Sequence, residues 1–132
     1  MTVLSLDLGT KRVGVAVSHG ILAERMPALD FSQKHFADFL AKLKKIIDEQ
    51  KIDLIVIGLP LGRNSKETEQ GKWTSEQAKR IEEALPTKIE FVEESYSTLE
   101  ALERLDRKKI KEKGEIDSES AKVILEQFLN GN

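Results

Sequence analysis

The 132 residues carry 21 Lys or Arg against 23 Asp or Glu, a formal charge of −2, with 39% hydrophobic residues and no cysteine. That is the length of one domain, expected to span 1–132, with apolar mass for a real core. It excludes disulfides and thiolate zinc, gives no net positive field to announce a nucleic acid, and fits the reducing cytoplasm, where the chain is expected.

The chain opens on a strand, Thr2 to Asp7, then Leu8-Gly9-Thr10-Lys11, then a second strand from Arg12 to Ser18. An N-terminus that begins as a strand without a basic region is not expected to be a signal peptide. The longest apolar run, Leu54 to Leu59, is far short of the ~20 residues of a membrane span. The first strand is apolar until Asp7. A carboxylate there costs several kcal/mol to desolvate, on the order of a buried ion, unless a cation or helix end pairs with it. The short turn predicts an antiparallel hairpin. Val13, Val15 and Val17 line one face of the second strand, whereas Gly14 and Ala16 leave the other low, as if something lies over it. Met26 to Asp30 reads as a third, short strand, with Pro27 marking an edge or a strand start.

Ser32 has the look of a helix cap before Phe36, Phe39, Leu40, Leu43, Ile46 and Ile47 at helical spacing. Ile52 to Ile57 reads as a strand buried on both faces, broken by Gly58-Leu59-Pro60. Leu61 to Gly71 is a polar loop of the kind that carries function. A helix is expected over Trp73 to Leu85, and a strand over Lys88 to Val92, ending in Glu93-Glu94. Ser97-Thr98-Leu99-Glu100 is a capping box opening a helix to about Leu105. The charged stretch from Asp106 to Glu115 reads as a solvated helix face or a loop. The last helix is expected to start near Asp117, with Ala121, Ile124, Leu125, Phe128 and Leu129 as its apolar stripe. A three-strand meander followed by strand-helix alternation implies a mixed α/β sheet of five strands with helices on its faces.

Three acids stand where elements begin or end: Asp7, the Glu93-Glu94 pair, and Asp117. Convergent carboxylates suit Mg²⁺ or Mn²⁺, and two such ions about 3.5–4 Å apart can clamp a phosphodiester in displacement. Plainer readings stand beside this. Glu93-Glu94 also reads as a solvated strand end, Asp117 as an N-cap, and Lys11-Arg12 as a solvated turn as readily as a phosphate grip. Asn64, Ser65 and Lys66 offer donors to a ligand, as polar loops commonly do. Trp73 could stack on a base, though its register favours core packing.

The stretch Asp7-Leu8-Gly9-Thr10-Lys11-Arg12-Val13-Gly14-Val15-Ala16-Val17-Ser18 resembles the opening signature of the bacterial YqgF family of pre-16S rRNA nucleases and Holliday-junction resolvases. Ile57-Gly58-Leu59-Pro60-Leu61 resembles its second motif, Glu93-Glu94-Ser95-Tyr96-Ser97-Thr98 its third, and Ile116-Asp117-Ser118 through Leu129 its last helix. The resemblance implies a ribonuclease H-like fold. It also implies metal-dependent phosphodiester hydrolysis, with Asp7, Glu94 and Asp117 as catalytic acids and metal ligands. Lys11, Arg12, Asn64, Ser65 and Lys66 would hold the nucleic acid. The substrate would be precursor rRNA at the 16S 5′ end, or branched DNA, which a homodimer would cut symmetrically. The chain departs from the family at Ser95, where an arginine is usual, at His19, where an aspartate often stands, and at Arg63-Asn64-Ser65-Lys66, which replace an Asp-Gly. Those departures keep a second class open, a non-catalytic nucleic-acid-binding or scaffold protein. A third, the phosphate hairpin of a sugar-kinase or actin-like ATPase, needs two lobes where this length supplies one.

Overall fold

The computed structural model describes residues 1–61, 68–95 and 113–131. Its elements run β1 (Val3–Leu8), β2 (Arg12–Ser18), β3 (Glu24–Asp30), α1 (Phe36–Gln50), β4 (Leu54–Leu61), α2 (Glu69–Ala84), β5 (Lys88–Ser95) and α3 (Lys113–Leu129). The helix anticipated from Ser97 lies outside the described residues. The strands form one sheet in the order β3-β2-β1-β4-β5. β1, β2 and β3 are antiparallel neighbours, and β4 and β5 are parallel to β1. This is the mixed five-stranded sheet expected from the order of elements.

Alternation along the strands sorts side chains onto two faces. On one face Leu4, Leu6, Val13, Val15, Ile55 and Ile57 pack against Phe39 and Leu43 of α1 and Ala78 and Ile81 of α2. Each large aliphatic side chain fully buried there contributes roughly 1.5–3 kcal/mol. Phe31, in the β3–α1 link, meets Phe39 edge-on at 5.1 Å and Trp73 at 5.9 Å between ring centroids. Trp73 is therefore a core residue joining α1 to α2. On the other face Val3, Ala16, Leu54, Val56 and Val92 pack against Ala121, Ile124 and Leu125 of α3. Leu54 through Ile57 are buried, as a strand covered on both sides must be.

Several element boundaries differ from those the sequence suggested. α1 starts at Phe36, because the Ser32 hydroxyl accepts from the His35 N–H and closes a turn ahead of the helix. α2 starts at Glu69, where the Thr68 hydroxyl accepts from the Gly71 N–H. β4 continues through Pro60 to Leu61. Its pairing with β1 ends at Ile57 while that with β5 continues, so Pro60 forfeits no ladder bond on the β1 side. α3 starts at Lys113, so Asp117 stands one turn inside the helix and is not its cap. No helix among the described residues is long and apolar enough to cross a membrane.

Candidate active site

The site is built where α3 descends on the ends of β1 and β2. Asp7 pairs with Gly14 across the β1–β2 ladder, and Ser5 pairs with Ala16. These four share the α3 face, because Ala16 and Val3 belong to its core. A methyl built on Gly14 would overlap the carbonyl of Asp117 and stand 2.9 Å from the Ser118 nitrogen. Glycine is what lets the helix backbone touch the sheet here. The low row read from Gly14 and Ala16 is the floor on which α3 rests. It places Asp117 above the cross-strand neighbour of Asp7.

Two hydroxyls fasten α3 at this height. Ser5 Oγ donates to the Ala121 carbonyl at 2.6 Å. Ser118 Oγ donates to the Met26 carbonyl at 2.6 Å and accepts from the Val15 N–H at 3.3 Å. Val15 and Met26 are ladder partners beside a register shift, where Pro27 and Ala28 of β3 stand against Gly14 alone. The bulge opens the ladder, and Ser118 fills the gap by bridging its two strands. Ser118→Ala would strand two backbone groups. It is expected to lower stability by about 1–3 kcal/mol, read as a lower urea midpoint at unchanged slope. Neither serine was singled out from the sequence. The available signal was their register: Ser118, Ala121 and Leu125 form one stripe of α3, opposite a row of small residues.

Arg12, at the start of β2, donates through Nε to Asp117 Oδ2 at 3.0 Å. Both side chains are 31% exposed. The turn before it is tight: the Gly9 N–H donates to the Arg12 carbonyl at 3.0 Å, and a methyl on Gly9 would lie 2.6 Å from that oxygen. Lys11 is exposed and lines a different feature, an open cleft of about 580 Å³ beside α1 that Asp30, Asp38, His35 and Lys42 also line. The two basic residues of the turn are thus divided, Arg12 toward the acids and Lys11 toward the α1 side.

Glu94 belongs to β5, where its backbone pairs with Pro60; its side chain lies outside the described residues. Register separates it from Glu93. Glu94 is in phase with Val92, which packs under α3, and Val92 pairs with Gly58. Glu93 is in the opposite phase and exposed. Asn64, Ser65 and Lys66 lie outside the described residues. The described residues therefore bring Asp7, Arg12 and Asp117 to one rim, with the Glu94 position on the same face two strands away.

This rim can be set beside known proteins. A family model described as RuvX: Holliday junction resolvase matches residues 1–131. The chain belongs to that family. A relative from Sulfurihydrogenibium sp., named as a candidate pre-16S rRNA nuclease, is 38% identical over 133 aligned positions, covering 97% of this chain and 89% of its own. One from Gloeothece citriformis, named likewise, is 34% identical over 130, covering 96% and 86%. Among solved structures, Thermus thermophilus RuvC superposes with a TM-score of 0.57 at 10% identity, covering 98% of this chain and 94% of that one. At that identity the likeness concerns the fold alone, which is ribonuclease H-like. The family is one of nucleases, so the chain is grouped with hydrolases of nucleic acid.

Proposed function

We propose that this chain is a divalent-metal-dependent endonuclease that cleaves precursor 16S rRNA toward its 5′ end, with Asp7, Glu94 and Asp117 as the acids of the site. The observation that carries the reading is the close approach at Gly14, which sets Asp117 over the neighbour of Asp7. Among the described residues no three acids form a metal-holding group; Asp7 and Asp117 supply two carboxylates, the ligands that Mg²⁺ and Mn²⁺ prefer, and Glu94 would add the third. Asp7 and Glu94 are two strands apart, roughly 10 Å by ordinary strand spacing. That leaves room between them for ions and a phosphodiester.

A metal pair in this place would supply an activated water and neutralise the charge on the departing 3′ oxygen. The chain's own residues do the rest. Asp7, on a strand buried to either side, presents a carboxylate whose position is fixed by the sheet. Asp117 is fixed by the helix that Ser118 and Ser5 fasten. Lys11 and the 64–66 segment would hold the backbone of the substrate beyond the acids.

The family description favours a second substrate, the four-way DNA junction, and RuvC has been solved on such a junction. A cleavage assay separates the two. Precursor rRNA, a four-way junction and duplex DNA are offered side by side with Mg²⁺ or Mn²⁺, to the wild type and to variants in each acid. The expected result is cleavage of precursor rRNA that Glu94→Gln and Asp117→Asn each abolish. Preferential symmetric cutting of the junction would move the assignment to DNA and require a dimer, which sedimentation would detect. Binding without metal-dependent turnover on any substrate would leave the scaffold reading.

A further inference from the structure

We propose that Arg12 is an exchangeable counter-cation: it holds Asp117 while the site is metal-free, and passes to a substrate phosphate when a divalent ion takes that carboxylate. The inference rests on the reading of Asp7 and Asp117 as metal ligands. Its basis is an asymmetry in how the two partners are held. Asp117 is held by its helix. Its backbone lies against Gly14, and the adjacent Ser118, 2% exposed, is tied to both β2 and β3. Arg12 is held through its backbone, whose carbonyl takes the Gly9 N–H. Its side chain is long, 31% exposed and anchored to Asp117 through Nε. When a cation competes for Asp117, the group that moves is the guanidinium.

The competition is favourable. A partly exposed pair of this kind is worth little, ~0.2–1 kcal/mol, so a divalent ion can displace it. The guanidinium then stands beside the metal with an unsatisfied fork of donors, the geometry that suits phosphate. Substrate would supply that anion, so metal and nucleic acid would bind with positive coupling through one side chain. This also places a cation at the rim beside the acids.

The test follows the Arg12 Nε–H resonance by ¹⁵N-edited NMR while Mg²⁺ is titrated into the metal-free protein. The expected result is that this signal moves with the same midpoint that calorimetry gives for Mg²⁺. A signal unmoved at Mg²⁺ saturation overturns the exchange. In Arg12→Gln, Mg²⁺ alone is expected to bind about two- to fivefold more tightly, because its competitor is gone. Binding of a phosphorothioate single-stranded RNA at saturating Mg²⁺, read by anisotropy, is expected to weaken. Its dependence of log K on log salt should become shallower by about one. A merely structural arginine would weaken both, and weaker or unchanged Mg²⁺ binding in Arg12→Gln overturns the proposal. Asp7→Asn separates the two layers. If it binds Mg²⁺ as the wild type does, the metal-site reading falls and takes the exchange with it. If it loses Mg²⁺ while Arg12→Gln shows no gain, the exchange alone falls.

Discussion

Asp7→Asn is expected to abolish metal-dependent cleavage, by about 10³-fold or more, while moving the thermal midpoint of the metal-free protein by less than about 5 °C. The two halves have different causes. Cleavage would depend on a negatively charged oxygen donor, and asparagine offers a neutral one of the same shape. Metal-based stabilisation of a transition state is worth several kcal/mol, and each 1.36 kcal/mol is about a factor of ten in rate. Folding, by contrast, is carried around Asp7 by groups the substitution leaves in place. Leu6 and Leu8 remain in the core facing α1 and α2, and the backbone pairing with Gly14 is unchanged. Asp7 itself is half-buried at the end of its strand, so asparagine can keep neutral hydrogen bonds there. A midpoint shift of 5 °C corresponds to ~1 kcal/mol in a domain of this size. Calorimetry without added metal and a single-turnover cleavage assay give the two readouts. Full cleavage by Asp7→Asn would remove Asp7 from the mechanism.

The parts of this site that sequence could show were those with a local signature. Gly14 and Ala16 form a period-2 row with no side-chain bulk, and such a row needs a cover. Leu54 through Ile57 are apolar in both phases, and such a strand needs neighbours on both faces. What stayed hidden was set by topology or by packing overriding local preference. Arg12 and Asp117 are 105 residues apart, and nothing in either segment says that α3 lands on β2. Ser118 looked like any polar residue near a helix start, because its partners belong to a bulge opposite. The true start of α3 was masked by Gly114, which costs ~1 kcal/mol inside a helix relative to alanine. Packing of the stripe below it outweighs that cost. Glu94 was separated from Glu93 by resemblance alone. Register supplies the physical reason, since only one of the two is in phase with the face that α3 covers.

Gly14→Ala is expected to do the opposite of Asp7→Asn and remove stability and cleavage together. A single methyl at Gly14 would occupy the space of the Asp117 carbonyl and come within 2.9 Å of the Ser118 nitrogen. Both obstacles are helix backbone, so no rotamer change relieves them, and the N-terminal half of α3 must lift. Lifting stretches the bonds that hold it: Ser118 to Met26 and Val15, Ser5 to Ala121, and Arg12 to Asp117. Overpacking alone costs roughly 1–3 kcal/mol, and stranding the buried hydrogen-bonding groups adds about 1–3 kcal/mol more. The total is a large part of the ~5–15 kcal/mol that holds such a domain together. Urea denaturation should show the loss as a midpoint far below that of the wild type. Gly20→Ala is the matched control, because a methyl there meets nothing within 4 Å, and it should leave stability within about 0.5 kcal/mol. The contrast extends to function. In Gly14→Ala the carboxylates are chemically intact, so a loss of Mg²⁺ affinity at temperatures where the variant is still folded would have to come from the height of α3. Mg²⁺ affinity equal to wild type in the folded Gly14→Ala protein would mean that Asp117 need not stand where Gly14 allows it. The close approach would then be a matter of packing, and the acid site would have to be built from Asp7 and β5 without α3.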